Sequence, residues 1–112
     1  MKNRNWLLAI SLCAPLLAYA QTGDDDEAFE QSVRNFGYTA GAAHQCAKEA
    51  DRPRIEADAI KAYSGLTRLF GTDHAFFFAA AFGAGSTIPV DPAKCADYAA
   101  TFGKAMKKHK AQ

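Results

Sequence analysis

The chain predicts an all-α fold, a small domain of four helices with one disulfide joining the first helix to the last. Three observations lead there. Apolar residues recur at three- and four-residue spacing along separate stretches of the chain. The breaks between those stretches carry Pro or Gly beside a residue able to cap a helix. Finally, Cys46 and Cys95 are the only cysteines beyond the first twenty residues, and they bracket both central apolar segments.

The N-terminus decides the compartment. Lys2 and Arg4 supply a positive start, Trp6 to Leu17 is apolar, and Ala18-Tyr19-Ala20 fits a small-x-small cleavage pattern with Gln21 as the mature first residue. This reads as a signal peptide over 1–20, followed by a single helical domain over 21–112. A membrane anchor would need about 20 apolar residues. Here Pro15 interrupts the apolar run, and the polar residues from Gln21 to Glu27 end it, so no span is expected after cleavage. Lipid attachment at Cys13 would want a small residue before it, where Leu12 stands. The expected location is the periplasm.

The first helix begins near Asp24, with Asp24 to Asp26 as caps and Phe29, Val33, Phe36, Ala40, Ala43 and Ala47 as its apolar stripe. Gly37 and Gly41 each weaken a helix by up to about 1 kcal/mol relative to Ala. Close approach of a second helix is the physical reason to tolerate them. Arg52-Pro53 breaks the run, since the residue before proline is pushed out of the helical region while proline suits a first turn. A second helix comes next, from about Pro53 to Phe70, with Ile55, Ala59, Ala62, Tyr63, Leu66, Leu69 and Phe70 on its inner face and Gly71 closing it.

Thr72 or Asp73 caps a third, short helix over 73–82. Its Ala75-Phe76-Phe77-Phe78-Ala79-Ala80-Ala81-Phe82 run is apolar on every side, as expected of the hub of a core. Gly83 to Val90 has no helical pattern and reads as a loop that carries the apolar residues Ile88 and Val90. Asp91-Pro92 then restarts the chain with a cap and a proline at the first helical position. The last helix places Cys95, Tyr98, Ala99, Phe102 and Met106 on one face, which meets Cys46.

Export makes disulfide chemistry available, and two cysteines allow one connectivity. A zinc site would want more ligands, and a redox dithiol would want the C-x-x-C spacing that the chain lacks. Closing the loop from Cys46 to Cys95 removes denatured-state entropy worth about 4 kcal/mol on the chain-entropy account.

Removing residues 1–20, which hold two basic residues and no acidic one, leaves 11 basic and 12 acidic side chains and a net charge of −1. That balance gives no nucleic-acid footprint. Asp24 to Glu30 at one end and Lys104 to Lys110 at the other complement helix dipoles and are expected to be solvated. His44, His74 and His109 stand without a paired ligand or base spacing, and Gly83-Ala84-Gly85-Ser86-Thr87 lacks the second glycine of a nucleophile elbow. No enzyme, metal or cofactor is expected.

Two short segments carry a resemblance. Asn35-Phe36-Gly37-Tyr38 leading to Cys46, and Lys94-Cys95-Ala96-Asp97-Tyr98, in an exported chain with a mature length near 90 residues, resemble the periplasmic immunity proteins that neutralise type VI secretion amidase toxins. The resemblance covers the first and last helices. It implies a small helical protein that blocks a peptidoglycan amidase by entering its cleft. A cleft-blocking protein must present something that protrudes. The apolar-tipped loop Gly83 to Val90 is the candidate, which makes Ser86, Thr87 and Ile88 the expected partner contacts. Alternatives are an envelope protein with an undefined partner and a protein similar in layout to the small acid-stress chaperones of the periplasm. A homodimer is also a candidate assembly.

Overall fold

The computed structural model describes residues 26–111, with side chains as far as Lys108. The expected signal peptide and its cleavage site lie outside the described residues. Among the described residues there are four α-helices: α1 (26–46), α2 (Arg52–Phe70), α3 (Thr72–Thr87) and α4 (Cys95–Ala111). Short 3-10 turns at Glu49–Asp51 and Pro92–Lys94 lead into α2 and α4. No strand occurs among the described residues, so the fold is all-α as the sequence predicts. Residues 31–111 form one compact unit, which holds the core and the disulfide; residues 26–30, on the other side of the division, are the opening turn of α1.

The helix boundaries have local causes. Proline stands in the first turn of α2, where its missing N–H is not needed. Gly71 closes α2 with φ +96°, a conformation that a side chain would strain, and its N–H bonds back to Thr67 O at 3.0 Å. It is the single residue between α2 and α3, so the two pack as an antiparallel hairpin. Asp91 accepts a hydrogen bond from Ala93 N at 3.0 Å and caps the turn that carries Pro92.

Gly37 and Gly41 are where α1 meets α3, and Gly85 is the matching position on α3. A Cβ on Gly37 would run into Phe78 O; one on Gly41 would run into Phe82 O and lie 2.8 Å from Ser86 N. A Cβ on Gly85 would run into Tyr38 O and lie 2.9 Å from Ala42 N. The two helices touch backbone to backbone, as small residues permit.

This crossing corrects the expected third helix. The sequence pattern predicts a stop at Phe82 and a loop over 83–90; instead α3 continues to Thr87. Gly83-Ala84-Gly85 has weak helix propensity, yet packing of buried Gly85 against α1 fixes these residues as helix. Only Ile88 to Asp91 remains between α3 and the turn into α4.

Two expected core faces are also narrower than their apolar content suggests. Along α2, Ile55, Ala59, Ala62 and Gly65 are buried with Leu66 packed beside them, whereas Tyr63, Leu69 and Phe70 are exposed. Small residues make this seam, so the neighbouring helix covers little beyond it. On α3, Phe78 is the hub, 2% exposed, while Phe76 points outward at 65%. Phe36 joins the layers, its ring 5.2 Å from that of Phe78 and 6.0 Å from that of Phe102. Phe102 and Met106 are the buried face of α4.

Candidate functional site

Gln45, at the C-terminal end of α1, organises the segment after α3. Its Nε2 donates to Gly85 O at 2.9 Å and to Ile88 O at 2.7 Å, and its Oε1 accepts from Val90 N at 3.1 Å. Both amide hydrogens and the carbonyl are thereby used. The last carbonyls of a helix have no partner within the helix. One side chain therefore closes the end of α3 and fixes the direction in which the chain leaves it. Cys46, the next residue, is bonded to Cys95, with Cα atoms 5.5 Å apart. Consecutive residues of α1 thus hold the segment 85–95 at its start, its middle and its end.

The sequence-predicted contacts fall on this segment in different ways. Ser86, half-buried, and Thr87, exposed, are the last residues of α3 rather than loop residues. Their hydroxyls donate to Gly83 O at 3.0 and 2.7 Å, local bonds that occupy both protons. Ile88 comes after the helix with extended backbone and is 53% exposed. The three residues are adjacent, but Ile88 is the one that presents apolar surface. Sequence reasoning misses Gln45, because a lone glutamine late in an amphipathic stretch carries no pattern. Its position immediately before a bridged cysteine is the one available signal.

A second feature lies between α2 and α3. A groove of about 370 Å³ is lined by Glu56, Ile60, Tyr63, Ala79 and Phe82, with Phe78 at its floor. Glu56 at its edge lies 2.8 Å from His44 Nε2, and the His44 ring packs 5.7 Å from that of Phe82. His44 therefore helps tie α1 to α2 and α3. Arg34 sits 4.4 Å over the Phe77 ring, a further α1 to α3 contact. Among the described residues no three His, Cys, Asp or Glu side chains are grouped to hold a metal, and no helix is long and apolar enough to cross a membrane. Lys104, Lys107 and Lys108 are exposed on α4.

The two segments that carry the resemblance lie side by side. Tyr38 and Tyr98 meet edge to face at 6.1 Å, and the disulfide joins the same two helices. In comparisons with known proteins the chain matches no family model, no curated protein and no solved structure at a significant level.

Proposed function

We propose that this chain is an exported binding protein that acts in the periplasm as an immunity protein and blocks the cleft of a peptidoglycan amidase toxin with the segment Ser86 to Val90. The observation that carries the binding part of this reading is the Gln45 clamp on Gly85, Ile88 and Val90, which leaves Ile88 half exposed at the tip. A segment ordered before binding loses less entropy when it binds. Recognition residues also commonly sit on short connections held by a rigid scaffold. The clamp and the neighbouring disulfide make the scaffold rigid at this place.

The amidase as partner rests on the resemblance of the segments Asn35–Tyr38 and Lys94–Tyr98. Contact between their helices makes those short motifs parts of one structural unit. The direct test is enzymatic. The mature protein is mixed with the cell-wall amidase encoded beside it, and release of cleaved peptide from peptidoglycan is monitored. Stoichiometric loss of activity is expected. Full activity at saturating protein, or the absence of any amidase among the neighbouring coding sequences, would refute the assignment.

A further inference from the structure

We propose that the outer face of α3 is the interface between two copies of this chain, paired antiparallel about a two-fold axis beside Ala79 and Ala80. The inference uses a different surface from the Ile88 segment and does not depend on the amidase reading. It begins with an imbalance of burial. Phe76 and Ile60 are 65% and 66% exposed, Tyr63 is 41% exposed, and Ala79, Ala80 and Gly83 are exposed between and beside them. From His74 to Thr87 the helix holds no Asp, Glu, Lys or Arg.

The occupant is chosen by the pattern of sizes. Phe76, Ala79, Ala80 and Gly83 succeed each other at helical spacings of three, one and three, which places them on one face. Read along the helix the order is large, small, small and no side chain. An isologous contact requires a patch that complements itself when turned about a two-fold axis. Turning this stripe about a point between Ala79 and Ala80 sets Phe76 against Gly83 of the second copy and Ala79 against Ala80 of the second copy. A Cβ at Gly83 would meet nothing within 4 Å, so the place facing the ring is open. Beside it the groove of about 370 Å³ between α2 and α3 gives the ring an apolar wall in Ile60, Tyr63 and Phe82. Both rings find such a place at once, because the arrangement is symmetric.

The area suits a weak, reversible pair. With aromatic side chains covering about 150–250 Å² each, the uncovered parts of Phe76, Tyr63 and Ile60 come to roughly 300 Å². The exposed parts of Ala79, Ala80 and Gly83 bring the face to about 400–500 Å² per copy, the size of a small, weak interface. A patch of this size matches the largest apolar patch of a typical monomer, about 300–600 Å², which is often a functional surface. Asp73 is the one charged residue of α3 and stands in register with Ser86 of the second copy, so the antiparallel pairing of the two helices brings no like charges together.

The test is sedimentation velocity on the mature protein over a concentration series, with two variants chosen to fold. Phe76→Glu changes an exposed side chain, and Gly83→Leu fills space that is empty in the single chain. A dimer is expected for the parent. Each variant should raise the dissociation constant at least about 30-fold, the loss of an interface residue worth about 2 kcal/mol, with helical circular dichroism unchanged. The exchange of knob and hole in Phe76→Ala with Gly83→Leu should restore association. A monomeric parent, or a dimer that survives both single variants, overturns the proposal. So does a monomer in which Phe76→Glu abolishes amidase binding, which would assign the face to that partner instead.

Discussion

At Gln45 three hydrogen bonds converge on one amide, and their loss has a calculable direction. Gln45→Ala leaves Gly85 O, Ile88 O and Val90 N to water where they can reach it. A typical hydrogen bond contributes about 0.5–1.5 kcal/mol net, so a cost of roughly 1–3 kcal/mol is expected for this partly exposed set. Gln45→Glu keeps the acceptor for Val90 N but turns a donor pair into an oxygen facing two carbonyls. It should destabilise more than Gln45→Ala at neutral pH. Chemical denaturation of both variants, with amide exchange read at Val90, checks this; equal stability of parent and variants would mean that the clamp contributes nothing in solution. Residue-scale details are the least legible in the sequence. Gln45, the outward turn of Phe76 and the back-bonded hydroxyls of Ser86 and Thr87 all depend on which neighbour arrives, and a local pattern does not encode that.

The elements themselves are more legible, for reasons the glycines illustrate. Gly37 and Gly41, four residues apart on one helix, imply a close approach, and the approach is there, with α3 as the neighbour. Gly85 obeys the same rule but gives no such signal, because glycines flanking an alanine also resemble a loop; it is the third contact of the same crossing. Glycine frequency marks both loops and tight helix crossings, so a Gly-rich stretch next to an apolar helix is ambiguous until its partner is known. Substitution should therefore differ in sign from place to place. Gly41→Ala and Gly85→Ala drive a methyl into facing backbone and should each cost about 1–3 kcal/mol or more. Gly103→Ala on α4, where a Cβ would meet nothing within 4 Å, should stabilise by up to about 1 kcal/mol through helix propensity. Thermal melts of the three variants settle the matter, and similar shifts of one sign would contradict the crossing.

For the molecule as a whole, the Cys46–Cys95 bridge and the Gln45 clamp act on the same stretch of chain from adjacent residues. The bridge is legible in the sequence because Cys46 and Cys95 are the only cysteines beyond the first twenty residues, which leaves them one pairing. Protein denatured without reductant should show no free thiol at these positions, and Cys46→Ser should lower stability by about 2–5 kcal/mol, as when a native disulfide is removed from a small domain. The central claim is that this doubly held segment presents Ile88 to a protein partner. Titration calorimetry of the proposed amidase partner with Ile88→Asp, set beside Lys107→Glu on α4, tests it most directly. The account predicts at least about a 30-fold loss of affinity for Ile88→Asp, as for a buried interface anchor, little change for Lys107→Glu, and unaltered melting temperatures for both, since both side chains are exposed. Undiminished binding by Ile88→Asp, or a loss confined to Lys107→Glu, would contradict it and move the recognition surface to the basic end of α4.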